Sequence, residues 1–183
     1  LREVVLQRKR AFPIAFIILG FVTKVFAETV HEVFGHGLFV LLFGGEITGV
    51  YISVLWPYDV SRITWSLPSA VSSTQIAWIY AGGILVCSCA SLPTLTLMLA
   101  KKEVSWHFAV ALFWFAFWTL INSTGYLIIG SLTPYGDVYE LIRLGVLTNF
   151  LSLITGLIVF FVGFVASSWV LRRILTGAFS CKK

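Results

Sequence analysis

Residues 27–38 read AETVHEVFGHGL, and Glu28, His31, Glu32 and His36 crowd into an otherwise apolar run. Two histidines flanking a glutamate are the residue types that a zinc site with its own general base requires. Neutral imidazole lends a lone pair to the metal, and a carboxylate takes a proton from water that the metal has acidified. The setting raises the stakes. An unpaired ionisable group at mid-bilayer costs from roughly 3 to more than about 10 kcal/mol, so such a group must face protein or a water-filled cavity. For Lys24 and Glu28, four apart, a helix ion pair is the expected arrangement. For His31, Glu32 and His36, a functional site is expected over a polar cluster that merely satisfies itself.

The spacing is one residue longer than the H-E-x-x-H of zinc proteases. On a regular α-helix, residues i and i+4 diverge by about 40°, but i and i+5 by about 140°. Imidazoles that far apart cannot share a metal. A π-bulge near Val33–Gly35 would absorb the extra residue and bring His36 back toward His31, and Gly35 eases the deformation. Two other outcomes stay open. A regular helix would pair Glu32 with His36, making Glu32 a ligand and removing the base. Alternatively, the site is disabled.

The elements that must position these residues are membrane helices. The chain of 183 residues is 58% hydrophobic and 11% charged, against about a quarter charged for a soluble domain. The mean hydropathy is +0.94. The net charge of +5 gathers at the ends of apolar runs, where it orients helices, so nucleic acid is not an expected partner. Arg2, Arg8, Lys9 and Arg10 precede a first span over 13–44, which as one helix would reach about 48 Å and must tilt or bend. Residues 45–68 are rich in Val, Ile, Thr, Tyr and Trp and read as a β-hairpin or loop with a turn near Trp56–Asp59. Asp59 and Arg62 should face water there.

Further spans follow over 74–100, 104–130 and 147–171. Residues 131–146 form a loop and short helix carrying Asp137, and 172–183 a basic tail. The expected fold is therefore an all-α polytopic membrane protein. It has about four transmembrane helices, a short β-hairpin after the first, and a single domain over 1–183. Four spans put the N-terminal cluster, Lys101-Lys102 and the tail on one side, so both termini should be cytoplasmic. The first apolar run outlasts a signal-peptide core and reads as a span. Cys87 and Cys89 read as small apolar helix residues, and Cys181 lies in the tail. His107, beside Trp106, reads as interfacial. No internal repeat or low-complexity segment occurs.

The stretch HEVFGHGLFVLLFGGEITGVYIS resembles the opening of the site-2 protease-like intramembrane metalloproteases. There, a membrane helix carrying H-E-x-x-H is followed by a glycine-rich turn and a short hairpin. YAGG, Tyr80 to Gly83, is similar to the small-residue start of that family's next core span. NSTGYLIIGSLTPYGDVYEL, Asn122 to Leu141, resembles its second motif, in which an Asn, a Pro and an Asp lie around the start of a core helix. The likeness covers about residues 14–145. It departs from the family in the extra residue of the first motif, in a longer Asn-to-Asp gap, and in Val138 where Gly follows the Asp.

The resemblance implies that His31, His36 and Asp137 hold Zn²⁺ and that Glu32 is the general base. On local grounds alone, Asp137 could instead cap the helix VYELIRL. Asn122 would bind substrate backbone or stabilise helix packing. The implied activity is hydrolysis of peptide bonds in a membrane-embedded protein substrate, with the lipid bilayer as surroundings. The alternative is a non-catalytic, metal-binding subunit or assembly factor of a larger membrane complex. A small transporter or channel has less support, since no pair of broken helices recurs in two halves.

Overall fold

The computed structural model describes residues 2–54, 60–100 and 105–179, with side chains over 11–54, 60–100 and 105–178. Helix α1 spans Arg2–Thr29, a π-helical segment Val30–Gly37, and α2 Leu38–Leu42. The three run on without a break, because Thr29, Gly37 and Leu38 all keep right-handed helical dihedrals. Strands β1 (Glu46–Tyr51) and β2 (Arg62–Ser66) follow, then α3 (Ser73–Ala100), α4 (Trp106–Leu132), the short α5 (Gly136–Arg143) and α6 (Asn149–Phe179). Four stretches are long and apolar enough to cross a membrane: Ala11–Leu42, Ser73–Ala100, Trp106–Leu132 and Asn149–Ala178. The fold is the expected all-α polytopic arrangement with one short hairpin.

Boundaries differ from the sequence expectation where local propensity and side-chain contacts intervene. Helix α1 begins at Arg2 rather than at Pro13, which lies inside it. The preceding REVVLQRKRAF is dominated by good helix formers, and a proline inside a membrane helix is tolerated where neighbours re-satisfy the freed backbone. Helix α6 runs past Arg172-Arg173 to Phe179. Arg173 then donates to the Met98 carbonyl at 3.1 Å, satisfying an end of α3 that lacks intrahelical donors. The predicted turn at Trp56–Asp59, Lys101-Lys102 and Cys181 lie outside the described residues.

Outside, the bundle is apolar. Ile17, Phe150, Phe161 and Trp169 are each at least two-thirds exposed, as suits helices whose solvent is hydrocarbon. Inside, close packing depends on small residues, the usual device where lipid competes equally for apolar side chains. A Cβ on Gly163 would collide with Leu120 of α4, and one on Gly156 with Leu127 and Ile128. Interhelical hydrogen bonds reinforce these contacts: Trp118 Nε1 to the Gly20 carbonyl at 2.8 Å, and Ser152 Oγ to that of Leu127 at 3.0 Å. One apolar core joins α1, α3, α4 and α6 through Phe12, Leu95, Phe113, Leu120 and Val170. A second seats α5 on α3 through Ala77, Ile84, Val138 and Leu141.

The hairpin is antiparallel, with Glu46 opposite Ser66 and Tyr51 opposite Arg62, and a bulge between Ile47 and Gly49. Arg62 is exposed as expected, with its guanidinium 4.8 Å from the centre of the Tyr51 ring. The hairpin's inner face abuts the π-helical segment. A Cβ on Gly37 would lie 3.1 Å from Ile47 Cδ1 and 3.3 Å from Ile63 Cδ1. The expected Lys24–Glu28 pair forms at 3.8 Å, and Lys24 Nζ also donates to the Ser53 carbonyl at 2.6 Å. This lysine pins the end of β1 to the first membrane helix.

The tightest approach is between the π-helical segment and α3. A Cβ on Gly35 would strike the Gly83 backbone, and one on Gly82 would lie 2.5 Å from the Gly35 carbonyl oxygen. Backbone cannot yield as a flexible side chain can. Gly35→Ala should therefore cost about 1–3 kcal/mol, read as an earlier midpoint in denaturant titration of the detergent-solubilised protein. Gly125→Ala is the control. A Cβ there meets nothing within 4 Å, so its midpoint should shift by less than about 0.5 kcal/mol.

Candidate metal centre

The extra residue between the histidines is absorbed by the helix itself. Val30–Gly37 winds as a π-helix, in which bonds run from i to i+5 and residues five apart stack on one face. The sequence places the distortion at Val33–Gly35; the structure spreads it over the whole segment, because i→i+5 bonding must open the ladder on both sides of the inserted residue. Phe34 turns outward and is 57% exposed, while His31, Glu32 and His36 are all buried. The arrangement with regular helix and divergent imidazoles does not occur.

The imidazoles meet at their Nε2 atoms, 3.2 Å apart. Asp137 joins them, its Oδ2 being 3.1 Å from His31 Nε2 and 3.2 Å from His36 Nε2. Three donor atoms from two distant parts of the chain thus form a nearly equilateral triangle. Ligand atoms about 2.0–2.1 Å from a tetrahedral zinc are separated by about 3.3–3.4 Å, so the triangle has the dimensions of one face of such a site. His31, Glu32 and His36 also form a buried group able to hold a metal ion, one donor atom from each lying within 4.8 Å of the others. Asp137, at hydrogen-bond distance from both imidazoles, is the closer third donor, and Glu32 stands beside the triangle.

Asp137 reaches this position through a sharp reversal after α4. Thr133 is extended, with φ −135° and ψ 153°, as the residue before a proline should be. Gly136 then takes φ +77°, a left-handed value that favours glycine. A Cβ on Gly136 would press 2.8 Å from the Tyr126 ring. Asp137 follows in the first turn of α5, where Tyr135 is the cap residue and no side-chain cap bond forms. The capping role available from sequence is therefore not the one seen. The carboxylate turns to the imidazoles, while its place at a helix N-terminus still favours its negative charge. Burial pushes the Asp137 carboxyl up, but the charge on His36 and hydrogen bonds from both imidazoles outweigh it and hold the group well below the usual carboxylate range. The second motif is also split. Asn122 lies in the middle of α4, whereas Asp137 opens a separate helix.

Surrounding groups orient the rings. His36 Nδ1 is 2.7 Å from the Ile79 carbonyl. A carbonyl only accepts, so Nδ1 carries a proton; Nε2 donates to Asp137 while it is protonated and presents a lone pair once that second proton is lost. His31 Nδ1 faces Cys87 Sγ at 3.7 Å, a contact with a thiol that can give or take a proton. The His31 ring stacks on Tyr126, centroids 4.8 Å apart and planes 11° from parallel. Trp65 of the hairpin lies along His36 at 6.4 Å. Gly83 leaves the space both rings need, since a Cβ there would lie 2.5 Å from His31 Cε1 and 2.8 Å from His36 Nε2. YAGG flags Gly83 in the sequence; nothing local marks Tyr126, Ile79 or Cys87 as neighbours of the site. Asn122 Nδ2 is buried and makes no hydrogen bond to either imidazole, and His107 stacks on Trp106 at the opposite end of α4 from Tyr126.

With Asp137 ionised against both Nε2 atoms, the centre of the triangle calls for positive charge. A proton on an imidazole or a bound cation satisfies it. Deleting Phe34 converts the motif to HEVGH on an ordinary α-turn and removes only an outward-facing side chain. This deletion should keep the imidazoles together and retain divalent metal at the wild-type stoichiometry, measured by elemental analysis of purified protein. His36→Ala removes one corner and should lower retained metal at least tenfold after dialysis.

No protein-family model, curated protein or solved structure matches this chain.

Proposed function

We propose that the chain is an intramembrane zinc metalloprotease similar to the site-2 protease-like family. The observation that carries this reading is the convergence of His31, His36 and Asp137 on one point within a helical bundle, with a carboxylate beside it. His31 Nε2, His36 Nε2 and Asp137 Oδ2 would hold the ion. When bound, zinc supplies Lewis acidity to a water molecule and to the scissile carbonyl. Glu32, buried beside the triangle, takes the proton from the attacking water and passes it to the leaving amine. The Ile79 carbonyl and Tyr126 hold the two imidazoles in place throughout. The sheet has two strands, β1 and β2, so the strand region between Gly45 and Val54 is where a substrate segment that has unwound would add by β-pairing.

The converged imidazoles fit a metal-holding, non-catalytic subunit as well, and the buried Glu32 beside them is what favours an enzyme. Glu32→Gln separates the two readings. An enzyme keeps its zinc and loses at least about 10²-fold in turnover of a detergent-solubilised transmembrane peptide. A metal-holding subunit shows no turnover to lose.

Four membrane spans and the distribution of basic residues further support placing both termini in the cytoplasm. Single cysteines at Lys102 and Lys183 should then react with a membrane-impermeant maleimide from the same side of sealed vesicles. Labelling from opposite sides would refute the topology.

A further inference from the structure

The two imidazoles of the triangle have different groups behind them. His36 Nδ1 faces the Ile79 carbonyl at 2.7 Å, which only accepts. His31 Nδ1 faces Cys87 Sγ at 3.7 Å, and among the described residues it has no other polar partner. Tyr126, which borders a cavity of about 620 Å³ flanked by α1 and α4, stacks on the His31 ring. Water in that cavity cannot stand in for the thiol, because His31 and Cys87 are only 1% and 0% exposed. The thiol is placed by its helix. Cys87 lies one turn beyond Gly83 on α3, so the face that leaves room for both rings also carries the sulfur. Cys89, two residues on, turns away and is exposed.

A ring nitrogen buried without a partner is costly, and His31 Nδ1 needs opposite partners in two states. Oδ2 of the ionised Asp137 only accepts, and it lies 3.1 Å from His31 Nε2. With that bond made, neutral His31 carries its one proton at Nε2, and bare Nδ1 needs a donor. With a metal held at the triangle, Nε2 gives its lone pair to the ion. The ring's one proton then sits at Nδ1, which needs an acceptor. A carbonyl serves only the second state. A thiol serves both, because S–H donates weakly and sulfur accepts weakly. His31 carries one proton in each state and Cys87 keeps its own, so neither group changes charge. Rotating the ring instead would carry Nε2 away from Asp137 and from His36 Nε2, 3.2 Å off. Facing Nδ1, the sulfur stands behind the ring and acts through it rather than on the ion.

We propose that Cys87 is a positioning residue of the metal centre: its thiol donates to His31 Nδ1 while Nε2 is bonded to Asp137, and accepts from Nδ1 when Nε2 binds the ion. This role rests on the metal-binding part of the proteolytic reading and is independent of cleavage. It makes His31 the ligand with an adaptable partner and His36 the one whose orientation is fixed.

The test uses the full-length protein in detergent, stripped of metal, with Zn²⁺ titrated against a chromophoric chelator. Alanine and serine are close in volume, so Cys87→Ala and Cys87→Ser lose the same packing and should share one unfolding midpoint. Only serine keeps a group that both gives and takes a hydrogen bond. Cys87→Ala should weaken zinc binding about tenfold, as loss of a ligand's outer partner does, while Cys87→Ser should stay within about threefold of wild type. Zinc affinity in the serine variant no higher than in the alanine variant overturns the proposal. Cobalt(II) in place of zinc supplies a measurement on the wild-type protein alone. A sulfur that does not ligate gives no thiolate-to-cobalt charge-transfer band in the near ultraviolet; such a band makes Cys87 a ligand and overturns the positioning role. Wild-type protein that binds zinc beside two equal variants leaves the metal centre standing without Cys87, whereas wild-type protein that binds no zinc removes the metal centre and this role together.

Discussion

Two imidazoles and a carboxylate meet within 3.2 Å of one another inside an apolar bundle, and the rest of the architecture accommodates that meeting. Such a group is stable away from water only if every lone pair and proton has a partner. The Ile79 carbonyl takes the Nδ1 proton of His36, the Asp137 charge is shared between two rings, and a proton or a cation between them would complete the set. Remove any one member and a buried charge or an unsatisfied nitrogen is left behind. The π-helical winding of Val30–Gly37 is the backbone's answer to this constraint. A regular helix would direct one histidine into the site and the other away from it.

Glycine at several positions makes the constraint achievable. Gly35 lets the π-helical segment lie backbone to backbone on α3, and Gly83 vacates the space where both imidazoles turn. Gly136 adopts the left-handed backbone that swings Asp137 inward, and packs flat on the Tyr126 ring while doing so. These contacts form a chain from α3 through His31 and Tyr126 to α5. The geometry at the metal centre is thus held by packing on three sides. A displacement of about an ångström at any of these contacts would widen the triangle beyond what one ion can span.

The hairpin and the cavity beside α4 extend the same logic outward. Lys24 ties the end of β1 to α1, so the strand cannot drift from the helix that carries the histidines. Trp65 on β2 lies against His36. The cavity beside α4 borders Tyr126 and Ser53, the residue whose carbonyl takes the Lys24 bond.

What the residues alone determine here are the local quantities. Apolar runs longer than a bilayer's width make the four spans legible, and β-branched and aromatic residues between Glu46 and Ser66 make the hairpin legible. The five-residue step from His31 to His36 demands a departure from α geometry, because the angle between side chains is a property of helix pitch. The extent of that departure was less readable, since it depends on how many neighbouring bonds yield together. Only the tertiary structure decided that Asp137 faces the imidazoles rather than capping α5. That outcome depends on the reversal at Thr133–Gly136 and on the seating of Val138 and Leu141 against α3, neither of which is encoded in any short window. The same holds for Tyr126, Ile79 and Cys87, which resemble ordinary helix residues in sequence. Periodicity and spacing are set within a few residues of chain, whereas the identity of a neighbour is set by which faces pack, and packing sums contacts over the whole bundle.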